Sequence, residues 1–336
     1  MQRSDPLKRV QAVLAQTPPK MAYTGGNFSQ WQERARKRLA ELLGMSRMED
    51  CGRELELASD ETLPGYRRTE FRFQSEPGYW VPCCLLTPPG DGPFPLAVCL
   101  QGHSTGMHIS LGEAIYPGDA ASIEGGRDIA RQAVAHGYCA LTVEQRGMGL
   151  CGGDEHGPRC YVHTMGNLLL GRTTLGERVW DISRALDVVA ARFPQADVSQ
   201  VLCMGNSGGG TATFYAACLD QRIRLAVPSC SVCTFGDSIM AMQHCACNFV
   251  PGVREFFDMG DLAGLIAPRP LIVIAGALDG IFPLAGVRKS YQTIQELYRA
   301  AGAPDSCALA VGAEGHRFYP DIAWPLVERL APWKSH

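Results

Sequence analysis

The spacing of apolar residues along this chain changes from one segment to the next, and each change predicts a different element. Trp31, Ala35, Leu39 and Leu42 recur at helical spacing after Ser29-Gln30-Trp31-Gln32, which reads as a capping box, and Gly44 stops the run. Arg34, Arg36, Lys37 and Arg38 on that segment read as a solvated helix face. From Tyr66 the period falls to two: Thr69 to Phe73 alternates, Ser75-Glu76-Pro77-Gly78 turns, and Tyr79 to Leu86 returns, which predicts an antiparallel hairpin. Beyond Pro93 short apolar runs alternate with helical stretches. Strands are predicted at Phe94–Leu100, Cys139–Val143, Val201–Met204, Leu225–Pro228, Leu271–Ala275 and Cys307–Val311. Helices are predicted at Ile129–His136, Leu175–Phe193, Gly209–Leu219, Ala285–Ala301 and Ile322–Leu330. The expected fold class is α/β: a mostly parallel central sheet with helices on both faces and an N-terminal helical extension. No repeat or linker divides the chain, so residues 1–60 form the extension and 61–336 one catalytic domain.

One junction in this pattern carries chemistry. The apolar run Val201 to Met204 ends in Gly205-Asn206-Ser207-Gly208-Gly209, followed by small, helix-tolerant residues. This G-x-S-x-G pattern predicts a strand, a sharp turn with serine at its apex, and a helix. Serine there is driven towards positive φ, which costs about 1–3 kcal/mol and persists where function requires it. A serine hydroxyl needs a histidine to take its proton and an acid to orient that histidine. Two later strands run into suitable loops. Leu271 to Ala275 leads to Asp279, and Cys307 to Val311 leads to His316, with Glu314 as the alternative acid. The order Ser207, Asp279, His316 places each member just after a strand. An oxyanion hole needs two N–H donors. Gly208, directly after the serine, is the expected first, and the His103 N–H in Gln101-Gly102-His103-Ser104 is the candidate for the second, with Ser104 next.

Composition narrows the partners. The net charge of −3 offers nothing to nucleic acid or an anionic membrane, and no apolar run is long enough to span a bilayer. Met1-Gln2-Arg3-Ser4-Asp5-Pro6 leads into a polar segment without the apolar core of a signal peptide, which predicts a cytoplasmic protein. Many of the 14 cysteines, such as Cys83, Cys99 and Cys203, sit inside apolar runs and read as reduced core residues. Cys230-x-x-Cys233 and His244-Cys245-Ala246-Cys247 have the residue types of a zinc site. The first pair closes a strand and the second lies in a loop, so packing is expected, with no metal and no cofactor.

From about Tyr66 to Trp333 the chain resembles the α/β-hydrolase superfamily, and within it the acetyl xylan esterase and dienelactone hydrolase branch. The resemblance rests on the Ser207, Asp279, His316 order and on Glu144-Gln145-Arg146-Gly147, similar to an arginine-glycine motif of those esterases. It implies that Arg146 braces the active-site loops. The chain departs from the carbohydrate deacetylases at Gly208, where they carry glutamine, and at Arg317, where they carry glutamate. The pocket should be built from Met107–Glu124, Leu150–Thr174 and Ser231–Met259, which follow strands.

The resulting expectation is a serine carboxylic-ester hydrolase. Its substrate would be a small-molecule ester, an acetyl or other small acyl group on a carbohydrate-like alcohol, and a homo-oligomer is compatible with the sequence. The rivals are a serine peptidase of the prolyl-oligopeptidase type, for which no propeller precedes Tyr66, a catalytically inactive binding protein on the same fold, and a zinc hydrolase using the Cys/His cluster.

Overall fold

The computed structural model describes residues 4–333, so Met1 to Arg3 of the N-terminal segment and the last three residues lie outside it. The strands are β1 (Leu55–Leu63), β2 (Tyr66–Glu76), β3 (Tyr79–Thr87), β4 (Phe94–Leu100), β5 (Cys139–Val143), β6 (Ala196–Asn206), β7 (Ile223–Ser229), β8 (Leu271–Gly276) and β9 (Cys307–Gly312). They form one sheet in the order β1-β2-β3-β5-β4-β6-β7-β8-β9. The first three strands and the β3–β5 pair are antiparallel, and every other pair is parallel. The longer helices are α1 (Pro6–Ala15), α2 (Phe28–Leu43), α4 (Ile129–Ala135), α5 (Cys160–Leu169), α6 (Thr174–Arg192), α7 (Gly208–Leu219), α10 (Leu284–Ala300) and α11 (Pro320–Leu330). The single-turn helices α3 (Asp119–Ser122), α8 (Val253–Phe256) and α9 (Met259–Leu262) lie in the connections. Among the described residues no helix is long and apolar enough to cross a membrane.

The inner strands predicted as continuous apolar runs are buried on both faces, because a parallel sheet is covered on both sides by its crossover helices, whereas the edge strand β9 leaves Val311 exposed. Successive residues serve opposite cores. Leu96, Val98 and Leu100 of β4, with Leu271, Val273 and Ala275 of β8, face the core shared with α2, α6, α7 and α10. Ala97, Cys99, Ile272 and Ile274 face the second core, with α4 and α11. All parallel strands therefore end on one edge, where the loops after β4, β5, β6, β8 and β9 meet.

The structure corrects several details of the sequence reading. Helix α2 begins at Phe28 rather than at the Ser29 box, because the Asn27 side chain already accepts from the Gln30 N–H at 3.0 Å. Its buried stripe is Trp31, Ala35, Leu39 and Leu43, with Leu42 only partly covered, and Gly44 closes it at φ 74° as expected. Arg36 is not a solvated charge: it donates to the Cys218 carbonyl at 3.1 Å and the Leu265 carbonyl at 3.0 Å. Beside it Gln32 donates to the Gly264 and Ala267 carbonyls, both at 2.6 Å. Strand β1 starts inside the segment read as helical, where Leu55 and Leu57 alternate with glutamates along an edge paired only with β2.

If α2 is part of the core, Leu39→Ala should lower the free energy of unfolding by about 2–5 kcal/mol in urea titrations, with an unchanged slope. Leu57→Ala, on the exposed edge strand, should change it by less than about 0.5 kcal/mol. Equal shifts for the two would show that α2 adds nothing to the core.

Candidate active site

Ser207 lies between the end of β6 and the start of α7 with φ 54° and ψ −120°, a conformation that L-residues rarely adopt. The turn is held from both sides. The Ser207 N–H donates to the Ser229 carbonyl at the end of β7 at 2.8 Å, and the Ser207 carbonyl accepts from the Thr211 N–H at 2.8 Å as α7 begins. Strand and helix touch at their glycines. A Cβ on Gly205 would lie 2.6 Å from the Gly209 carbonyl, and one on Gly209 would lie 2.2 Å from the Leu100 carbonyl of β4. Only hydrogen fits at either position, so the glycines of the motif answer a steric demand.

The loop after β4 crosses this turn. A Cβ on Gly102 would sit 3.1 Å from the Ser207 Cβ, and one on Gly208 would sit 2.7 Å from the His103 ring. The absence of a side chain at 208, where the deacetylases of the resemblance carry glutamine, is therefore matched by an imidazole in that space. The first N–H groups of α7, Gly208 included, have no partner within the helix, and the positive end of the helix dipole adds to their pull on an anion. The His103 side chain hydrogen-bonds within the loops, with Nε2 3.0 Å from the Cys247 Sγ.

His316 and Asp279 come together. His316 Nδ1 lies 2.8 Å from Asp279 Oδ2, while Asp279 Oδ1 accepts from the Ile281 and Phe282 N–H groups at 2.8 and 3.1 Å. Burial alone would raise the Asp279 carboxyl, but the hydrogen bond and charge of His316 and these two N–H groups hold it below its ordinary value. The Phe282 ring lies nearly parallel to the imidazole at 6.0 Å, and Arg127 donates to the His316 carbonyl at 2.7 Å. Glu314, the alternative acid, is exposed and pairs with Arg317 at 2.6 Å. Ser229 joins the histidine loop to the serine turn: its carbonyl accepts from Ser207, and its hydroxyl donates to the Arg317 carbonyl at 3.4 Å. Sequence spacing gave no sign of Ser229, Phe282 or Arg127, which reach the site from separate segments.

Arg146 is buried away from this centre. Its Nε and Nη2 bind the two Asp181 oxygens, both at 2.8 Å, Nη2 also binds Glu76 at 2.7 Å, and Nη1 lies 3.1 Å from Glu177. The Tyr79 ring lies 4.1 Å from its Cζ. The arginine thus ties the loop after β5 to the end of β2 and the first turns of α6. The hydrogen bond from His163 and the charge of Arg146 outweigh burial and bring the Glu177 carboxyl down to about 2.

The sequence-level grouping of cysteines does not survive folding. Cys230 meets the Arg317 carbonyl at 3.3 Å, and burial pushes its thiol up to about 12. Cys233 meets the Pro283 carbonyl at 3.8 Å, and His244 lies 3.2 Å from the Ser238 hydroxyl. Cys245 and Cys247 lie together with His103 instead. The expected insertions do form walls. A cleft of about 300 Å³ between the loops after β4 and β5 is lined by Thr105, His108, Tyr116, Glu144 and Leu150, and by Arg68 of β2 in an ion pair with Glu113. Burial pushes Glu144 there up to about 7. A second, apolar cavity of about 540 Å³ lies under Met240, Met242 and Phe249, with Leu7 and Val10 of α1.

Two outcomes follow from the Arg146 cluster. Arg146→Ala should cost about 3–5 kcal/mol in urea unfolding, because it leaves buried carboxylates without their guanidinium. Glu177 contributes its full stability above its ordinary value of 4.5 and loses it as pH falls through about 2. Glu177→Gln should therefore flatten the decline of stability across that window, and parallel curves for the two proteins would refute the assignment.

With this geometry in view, comparison with known proteins is informative. The model of the Abhydrolase family matches residues 7–311. The chain is 26% identical over 246 residues to "Putative hydrolase YtaP" of Bacillus subtilis (strain 168), a match covering 72% of this chain and 80% of that protein. Among solved structures it is similar to a "putative acetyl xylan esterase" of Bacteroides fragilis NCTC 9343, with TM-score 0.80, 18% identity and coverage of 98% and 96% of the two chains. It is also similar to a glucuronoyl esterase from Solibacter usitatus, with TM-score 0.69, 17% identity and coverage of 95% and 98%.

Proposed function

The chain belongs to the Abhydrolase family, and from that premise we propose that it is a serine carboxylic-ester hydrolase. The observation that carries this reading is the His316–Asp279 pair at 2.8 Å, joined through Ser229 to a serine held at φ 54°. Ser207 Oγ attacks the ester carbonyl as His316 Nε2 takes its proton. Asp279, bound to Nδ1, fixes the tautomer and stabilises the imidazolium. The N–H groups of Gly208 and His103 receive the oxyanion. His316 then protonates the departing alcohol, and a water activated by the same nitrogen releases the acid from Ser207. These steps use only the chain's own residues and water.

The substrate we favour is a small acyl ester, acetyl first, of a carbohydrate-like alcohol. One feature supports it: the similar structures bear the names of carbohydrate esterases. Fourteen free cysteines suit a reducing compartment such as the cytoplasm.

Hydrolysis of p-nitrophenyl esters of increasing acyl length tests the reading. Activity should be greatest on acetate and fall with chain length. Ser207→Ala should lose at least about 10⁴-fold in turnover, and Asp279→Asn on the order of 10³–10⁴-fold. Ester cleavage that survives Ser207→Ala would exclude Ser207 as nucleophile, and faster cleavage of a peptide p-nitroanilide than of the acetate ester would exclude the esterase assignment.

A further inference from the structure

Beside the serine turn the fold assembles four soft donors from separate parts of the chain. His103 comes from the loop after β4, Cys160 opens α5, and Cys245 precedes, and Cys247 lies within, the short turn Ala246–Asn248. One ligand atom from each lies within 4.8 Å of all the others. His103 Nε2 is 3.0 Å from the Cys247 Sγ, and the Cys245 and Cys247 sulfurs are 3.2 Å apart. A tetrahedral zinc centre, with zinc–sulfur bonds of about 2.3 Å and zinc–nitrogen bonds of about 2.0–2.1 Å, places its donors about 3.5–3.8 Å from one another. The His103–Cys247 and Cys245–Cys247 pairs need to open by only roughly 0.5 Å to reach that arrangement.

A buried arginine distinguishes this cluster from ordinary cysteine packing. Arg178 is only 2% exposed. Its Nε and Nη2 donate to the Arg146 carbonyl at 3.1 and 2.7 Å, and its remaining contacts are the Cys247 Sγ at 3.3 Å and the Cys160 Sγ at 3.4 Å. A buried cation is normally matched by an anion, and here the groups facing it are sulfur. Buried core thiols such as Cys99 and Cys203 have no such neighbour: they meet the Ala97 carbonyl and the Thr213 hydroxyl. Three thiolates, one imidazole and one divalent cation carry a net charge of −1. The Arg178 guanidinium, bonded to two of the sulfurs, neutralises it and supplies the outer hydrogen bonds that such ligands require.

We propose that His103, Cys160, Cys245 and Cys247 bind one zinc-class divalent ion in a closed, four-coordinate structural site. The ion takes His103 through Nε2 and the cysteines as thiolates, whose protons leave to solvent on binding. With every position filled by protein it has no open site for water, so it performs no step of ester hydrolysis. It fixes the His103 ring against Gly208 and with it the loop that crosses Ser207. The site stands apart from the esterase reading, since it rests on metal ligation alone.

Metal content and colour test it directly. Protein kept reduced, loaded with zinc and freed of excess should retain about one ion per chain by elemental analysis. The cobalt-substituted protein should show thiolate-to-metal charge transfer and the intense visible bands of tetrahedral cobalt. The Cys245→Ser/Cys247→Ser variant should lose both signals, and Cys230→Ser/Cys233→Ser should keep both. Cys160→Ser, on a separate segment of the chain, gives the same expected loss if the first variant does not fold. Reduced wild-type protein that takes up neither ion overturns the proposal, as does equal retention by any folded ligand variant. A Cys245–Cys247 disulfide whose reduction restores no cobalt signal overturns it too. None of these readouts depends on ester cleavage, so failure here is distinguishable from failure of the proposed activity.

Discussion

Contact between β6, α7 and β4 at the Ser207 turn sets the terms for the rest of the molecule. Three backbone segments meet there with no room for a Cβ on Gly205 or Gly209, and that closeness forces Ser207 to φ 54°. The strain of such a turn is of order 1–3 kcal/mol, and a turn held on one side alone would relax. Ser229 secures it from β7 and Thr211 from the helix, while the sheet behind is buried on both faces. The same crossing brings the loop after β4 within reach of the serine, so the candidate oxyanion donors and the candidate nucleophile are consequences of one packing event.

A second layer of order is electrostatic. Arg146, Arg172, Glu76, Glu177 and Asp181 form a buried network in which two guanidinium groups face three carboxylates. It sits where the antiparallel strands meet the parallel ones and holds the loop after β5 against α6. Arg146 reaches onward only through its carbonyl, which accepts from Arg178, and Arg178 in turn faces the sulfurs of Cys160 and Cys247. One chain of polar contacts thus runs from the end of β2 to the His103 ring.

Most of the parallel sheet was legible because a strand buried on both faces must be apolar throughout, and turn residues bound it. Asp279 and His316 were legible for a related reason: each closely follows a short apolar run, at the edge where all parallel strands end. Other features left no local signal. The start of α2 was misplaced because Asn27 and Ser29 both suit a helix cap, and only the side-chain bond to the Gln30 N–H decides between them. Arg36 read as solvated because its carbonyl partners lie far along the chain. The cysteine cluster misled most. Cys230 and Cys233 look adjacent to Cys245 and Cys247 in sequence, yet β7 directs them towards Asp279 and Pro283, while Cys160 and His103 arrive from segments with no recognisable spacing.

Helix α2 also shapes how this chain must be made. Its Gln32 bonds carbonyls that lie 232 and 235 positions downstream, and its buried stripe of Trp31, Ala35, Leu39 and Leu43 packs on α6 and α7 as well as on that late-arriving segment. At ribosomal rates of about 5–20 residues per second, those partners emerge on the order of ten seconds to a minute after α2 itself. Until α6 and α7 emerge its apolar side has nothing to pack on, and the cover is complete only when the segment around Gly264 arrives. The nascent chain therefore carries a sticky surface for most of its own synthesis, the kind of surface that chaperones exist to shield.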